Sequence, residues 1–229
     1  MPKPTFFRLP DDRRELVVRE AIAEFAEHAY ADASLSQIAR RTGIAKGSFY
    51  QYFEDKLDLY RWLLAEEAPR KKREFLGAVR FDGDFWAGLE TYVERGMAFL
   101  VEHPGLARLA AAAADPTAAA EVRGLHLAIC EAGITELRAL LQVGIKGGAI
   151  ARGIPLDIAT RLVSTVIGPG LTDIVLRELG AELHEVLAST SLQRELGPAR
   201  RRRLAHAAVL FIRGGLGNPQ SKTKKERHR

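Results

Sequence analysis

An all-α chain of two parts is the architecture this sequence predicts, and three observations carry that expectation. Apolar residues recur at spacings of three and four along most of the 229 residues, and no stretch alternates with the period of two of a half-buried strand. Prolines at 104, 116, 155 and 198 each stand where a first helical turn would begin. Within residues 34–53, two short helical patterns meet at Gly43, the arrangement of a helix-turn-helix. The expected organisation is an N-terminal three-helix helix-turn-helix domain over 1–56 and a connecting helix into a second helical domain over 57–217. A disordered basic tail over 218–229 follows.

The first helix opens after Pro10, where Asp11 and Asp12 favour the positive end of the helix dipole. Val18, Ala21, Ile22, Phe25, Ala26 and Ala29 then form one apolar stripe. Its role is support, since a following helix of about seven residues cannot hold itself in water. Tyr30 and Leu35 complete that small core. Ser34 with Gln37 three residues on reads as a capping box that starts the second helix at Leu35. Gly43 ends it in the left-handed conformation, and Ile44 folds back on Ile38 and Ala39. A third helix begins near Ala45 or Lys46. At about 100° per residue, Phe49 and Phe53 share its inner face, while Lys46, Gly47, Tyr50 and Gln51 share the outer one, flanked by Ser48 and Tyr52.

That outer face carries a cation, hydrogen-bonding side chains and a central glycine, which suits the major groove of DNA. The bland alternative is a solvated helical hairpin. Such a face usually mixes both charge signs, whereas residues 34–53 contain Arg40, Arg41 and Lys46 and no carboxylate. It also gains nothing from a central glycine, which costs about 1 kcal/mol relative to alanine.

Asp55 is the expected N-cap of the connecting helix, which runs through Leu57, Leu59, Tyr60, Leu63 and Leu64 and continues, kinked, past Pro69. Further helices are expected at about 84–102, shortly after Pro104, at 116–146, 155–179 and 198–213. Within the fourth, Pro169 of Gly168-Pro169-Gly170 has no donor and its ring clashes with the Thr165 carbonyl. A kink or break is expected there, shaping either a pocket or a subunit interface.

The net charge is +5, but the last twelve residues hold five Lys/Arg and one Glu, and residues 1–56 hold nine of each sign. Local distribution, not global basicity, is therefore the argument for nucleic acid. A lone Cys130 excludes an intramolecular disulfide, and a cytoplasmic protein is expected. The longest weakly polar stretch, 162–172, is too short to span a membrane. No catalytic constellation, metal cluster or cofactor motif stands out. His184-Glu185 lacks the second histidine of a zinc-protease helix, and Gly214-Gly215-Leu216-Gly217 follows a helix rather than a strand. Cys130, beside Glu131 and near His126, reads as a buried small residue on a long helix. The four arginines 200–203 spread around a helix and read mostly as solvated surface.

The run 34–60, SLSQIARRTGIAKGSFYQYFEDKLDLY, resembles the DNA-binding signature of the TetR family of bacterial transcriptional regulators. The likeness covers roughly the first 60 residues. The family often has serine or threonine where Ala45 stands, and glycine where Ala29 stands. The resemblance implies that Lys46, Gly47, Tyr50 and Gln51 face bases or adjacent phosphates, with Ser36 near the groove edge. It implies that Ser34, Ser48, Tyr52 and Lys56 hold phosphates. It also implies a homodimer on a near-palindromic double-stranded operator and a repressor released by a small-molecule effector. Helical regulators of this kind hold ligands among aromatic walls, here Trp62, Phe85, Trp86, Tyr92 and Phe99, for which ordinary core packing is an equally good reading. The competing reading of the whole chain is a helical metabolite-binding or enzymatic protein with a vestigial DNA-binding fold.

Overall fold

The computed structural model describes residues 1–77, 79–81, 83–151 and 153–217, so the expected tail over 218–229 lies outside the described residues. The helices are α1 (Pro4–Phe7), α2 (Asp11–Glu27), α3 (Leu35–Thr42), α4 (Lys46–Phe49), α5 (Lys56–Trp62), α6 (Ala68–Leu76) and α7 (Phe85–Glu102). They continue as α8 (Pro104–Ala114), α9 (Ala120–Lys146), α10 (Leu156–Thr165), α11 (Leu171–Leu179), α12 (Leu183–Ala188), α13 (Thr190–Glu195) and α14 (Pro198–Leu216). Among the described residues the extended pairing is a single bridge of Ile150 with Gly217. The fold is all-α, with an N-terminal helix-turn-helix followed by a helical C-terminal part.

Two compact units form. The first takes Met1–Glu74 with His103–Ile129, the second Phe75–Glu102 with the chain from Cys130 onward. This division does not coincide with a boundary after residue 56. The reason is α8, which packs on α2 through buried Leu106, Ala107, Leu109 and Ala113. Gly105 permits that approach: a Cβ there would lie 2.9 Å from Ile22 Cγ2. The core of this first unit is Phe6, Val17, Ala21, Phe25, Ile38, Phe49, Phe53, Leu59 and Leu63.

In the second unit α7 packs along α14, and Leu89, Val93, Met97, Val163, Leu171, Ala205, Val209 and Ile212 fill the core. Of the four arginines 200–203, Arg201 is buried rather than solvated. Its Nε donates to Glu94 Oε1 at 3.1 Å and its Nη1 to the Leu196 carbonyl at 2.8 Å. Cys130, expected inside, is exposed on α9.

At both prolines expected to kink or break a helix, the helix continues through a π turn. Leu63–Glu67 winds as π-helix between α5 and α6, with the Ala68 N–H on the Leu63 carbonyl, immediately before Pro69. Val166–Gly170, which contains Pro169, does the same between α10 and α11. Widening the turn moves the upstream carbonyl away from the proline ring, so the helix passes through without breaking. As a result Leu156–Leu179 is one run of 24 residues, longer than the apolar stretch read from the sequence. By length and composition it could cross a membrane, and 28% of its most apolar window is buried.

The start expected at Pro116 moves to Ala120. Asp115 Oδ1 accepts from the Thr117 N–H at 2.7 Å and its hydroxyl at 2.6 Å, a local turn that competes with helix. The short helices α1, α12 and α13 have too few residues to show a period. α12 starts at a capping box of Glu182 and Glu185, and α13 at Ser189, whose side chain accepts from the Leu192 N–H.

Candidate nucleic-acid interface

The turn of the helix-turn-helix is built as its residues require. Gly43 has φ +69°, and the N–H of Ile44 donates to the Ala39 carbonyl at 3.0 Å, closing α3. Thr42 is buried, its hydroxyl on the Ile38 carbonyl at 2.9 Å. Ala45 enters α4 in extended conformation with no side-chain cap. The α4 helix is only four residues, followed by turns to Phe53, so its orientation depends on what holds it rather than on intrinsic helicity. Phe49 and Phe53 are buried and stacked, their centroids 5.9 Å apart. Lys46, Gly47, Tyr50 and Gln51 are exposed, with Ser48 and Tyr52 half-buried beside them.

The Ser34–Gln37 capping box does not form. Ser34 occupies the N-cap position of α3 without a side-chain bond, and its backbone N–H donates to Glu24 Oε1 at 2.8 Å. Glu24 is 1% exposed, and its other oxygen lies 3.4 Å from Arg41 Nη1. A buried carboxylate on α2 thus takes the donor that Gln37 was expected to satisfy and fixes α2 against α3. Ser34, Ser36 and Arg40 line an open polar cleft with Glu24 and His28.

Lys56 is placed differently from the expected phosphate contact. Its ammonium donates to the carbonyls of Ala31 at 2.9 Å and Ala33 at 3.0 Å and lies 4.7 Å from the Tyr30 ring centroid. It fastens the turn that leads into α3. Arg41 faces Glu24 and Glu27 of α2, and it is exposed, as are Arg40 and Lys46, the other cations of residues 34–53.

The five aromatic residues assigned to an effector pocket are divided between the two units. Trp62 belongs to the first unit, where its ring centroid stands 5.1 Å from that of Phe6 and 5.9 Å from that of Phe53. In the second unit, Phe81 joins Phe85 at 5.9 Å and Tyr92 at 6.4 Å, and Phe85 meets Trp86 at 5.2 Å. Burial pushes the Tyr92 hydroxyl pKa up, and the nearby Glu136 adds to the rise. In the same unit Phe99 packs against Phe75 at 5.6 Å.

Sequence reasoning assigned nothing to residues 1–8, and these touch the presented element directly. Lys3 Nζ donates to the Tyr50 carbonyl at 2.9 Å, the Thr5 hydroxyl to the Gln51 carbonyl, and the Lys3 N–H to the Tyr52 carbonyl at 2.8 Å. A proline at a first helical turn, Pro4, was the available signal.

Residues 17–62, from within α2 to the end of α5, match the family model of bacterial regulatory proteins of the tetR family. The helix-turn-helix part of the chain is of the TetR family. The chain is similar to the HTH-type transcriptional repressor BepR of Brucella suis biovar 1 (strain 1330), 31% identical over 71 residues that cover 31% of this chain and 34% of that protein. It is similar in structure to a TetR family transcriptional regulator from Chloroflexus aurantiacus J-10-FL, with TM-score 0.64, 28% identity and coverage of 95% of this chain and 99% of that one. The transcriptional regulator FadR from Bacillus subtilis, solved in complex with stearoyl-CoA, shares the fold at TM-score 0.61 and 21% identity, over 80% of this chain and 96% of that one. The chain spans half or less of the length of the first curated relatives it matches.

Proposed function

We propose that this chain is a sequence-selective, double-stranded-DNA-binding transcriptional regulator of the cytoplasm, most simply a homodimeric repressor that leaves a near-palindromic operator when a small molecule enters its second unit. The observation that carries the reading is the outward face of 46–51. Lys46, Gly47, Tyr50 and Gln51 are exposed together on an element whose other face is buried, and a Cβ at Gly47 would meet nothing within 4 Å. A glycine with no neighbour to avoid suits close approach of another molecule, and the residue types beside it suit base edges and phosphates.

The dimer is supported by apolar side chains left outward in the second unit. Ile158, Leu162 and Ile174 are exposed on Leu156–Leu179, and Leu210 and Phe211 on α14, with Phe211 at 71% exposure. Leu204, Ala208 and Ile212 of α14 are buried in the core of the second unit and so lie outside this outward set. Paired copies would cover the remaining face and supply two recognition elements about one helical turn of DNA, roughly 10 bp, apart or a multiple of it. A small-molecule effector is supported by the FadR structure, which holds stearoyl-CoA. The aromatic group Phe81, Phe85, Trp86 and Tyr92 is the candidate wall. Repressor polarity is supported by BepR.

The test is selection of bound duplexes from a random pool by the full-length protein, with affinities measured across salt. A shared near-palindromic sequence bound more tightly than scrambled duplex, with affinity falling as salt rises, is expected. Recovery of no shared sequence would favour the metabolite-binding alternative.

A further inference from the structure

The presented element ends in three consecutive carbonyls, those of Tyr50, Gln51 and Tyr52. A helix end leaves its last carbonyls without intrahelical partners, and something outside the helix must receive them. Here all three are received by one short stretch far upstream in sequence. Lys3 supplies its ammonium to Tyr50 at 2.9 Å and its backbone N–H to Tyr52 at 2.8 Å, and the Thr5 hydroxyl donates to Gln51. Pro4, between them, stands in the first turn of α1, where its fixed φ holds the two donors in place. Phe6 then anchors the stretch. It is fully buried, its ring 4.9 Å from Phe53, 5.1 Å from Trp62 and 6.2 Å from Tyr52.

The arrangement matters because α4 has so little of its own to hold it. It has four residues and no side-chain cap at Ala45. Its inner face is fixed by Phe49 and Phe53, which leaves its C-terminal end to be fixed by the N-terminal segment. Tyr50 and Gln51 expose their side chains while Lys3 and Thr5 hold their carbonyls. Each clamp therefore acts on the backbone of a residue that faces outward. A cation at the carbonyl end of a helix is also favoured by the helix dipole.

We propose that Lys3 and Thr5 are positioning residues for DNA recognition, with Phe6 as their anchor: the N-terminal segment caps the recognition element and sets the pose in which Tyr50 and Gln51 meet the groove. The inference rests on the reading of 46–51 as the DNA-contacting face, and the experiment separates the two. Full-length wild-type protein first selects a duplex from a random pool, and binding to that duplex and to a scrambled one is then measured for Lys3→Met, Thr5→Val and Thr5→Ser. Lys3→Met keeps the alkyl stem without the charge, Thr5→Val keeps shape without the hydroxyl, and Thr5→Ser keeps the hydroxyl.

Lys3→Met and Thr5→Val should each bind the selected duplex about three- to tenfold more weakly, the scale of one lost hydrogen bond. Binding to scrambled duplex should change much less, so discrimination falls, and Thr5→Ser should restore it even where Thr5→Val lowers the melting temperature. The slope of log affinity against log salt should stay at the wild-type value in Lys3→Met. Wild-type affinity and discrimination in both variants would overturn the proposal. So would a uniform loss on both duplexes in Lys3→Met with the salt slope reduced by about one per chain, which would make Lys3 a phosphate contact. Failure of the wild-type protein to select any duplex would sink the DNA reading itself, and the proposal with it.

Discussion

Gly47 is a helical residue that the fold does not require to be glycine. Its φ is outside the left-handed region and a Cβ there would meet no atom within 4 Å. Gly47→Ala should therefore raise stability, by up to about 1 kcal/mol, through lower backbone entropy in the unfolded chain. The same methyl group would stand between the element and the groove floor, so affinity for selected duplex should fall. Thermal melting and DNA titration of one variant moving in opposite directions is the expected signature. Unchanged DNA affinity would mean that the backbone at Gly47 does not approach the duplex. The outward set of Lys46, Gly47, Tyr50 and Gln51 was legible in sequence because the 100° step is a property of the helical backbone. Two other sites were not legible, for a common reason. Ser34 with Gln37 has the spacing of a local cap, but Glu24, ten residues earlier, takes the Ser34 N–H with a charge-assisted bond that a neutral glutamine does not match. Lys56 looked like a free cation until folding brought the Ala31 and Ala33 carbonyls beneath it.

Among the elements, the long helices of the second unit were legible from apolar period and first-turn prolines, since both signals are local. The response of a helix to an internal proline was not. Sequence shows the clash, while the π turns at Leu63–Glu67 and Val166–Gly170 show which relief the surrounding packing admits. The contact of α8 with α2 carries its own test. Tyr60, on α5, is 1% exposed and its hydroxyl donates to the Leu109 carbonyl of α8 at 3.4 Å. Burial, with a smaller contribution from Tyr30, pushes its pKa up to about 12 from the usual 10.0. The folded state therefore holds this proton more tightly than the unfolded chain. Its contribution to stability is complete below pH 10 and is lost as pH rises from about 10 through about 12. Tyr60→Phe cannot ionise. It should melt lower at neutral pH, by the equivalent of about 0.5 to 1.5 kcal/mol for the lost bond, and show a shallower decline across pH 10–12. Parallel declines in the two proteins would mean that Tyr60 ionises as easily folded as unfolded.

For the proposed dimer, assembly and regulation would be one question, because half-sites on DNA have fixed spacing and an effector that changed the separation of two recognition elements would remove contacts. Linkage makes the effect mutual: a ligand that weakens DNA binding by some factor binds the DNA-bound protein more weakly by the same factor. Assembly is checked through the outward apolar face. Leu162→Glu with Phe211→Glu should shift the light-scattering mass at micromolar protein from dimer to monomer without lowering helicity. A dimer that persists in the double variant would place the interface elsewhere. Loss of helicity would mean that these side chains are needed by the single chain. The central claim is that 46–51 reads DNA, and it is tested most directly by titrating the selected duplex with wild-type protein, Lys46→Ala and Tyr50→Ala, both exposed positions. Both variants should lose affinity, by the equivalent of about 1 to 3 kcal/mol where a base contact is removed, while melting temperature and dimer mass stay at wild-type values. Wild-type affinity in both variants would contradict it.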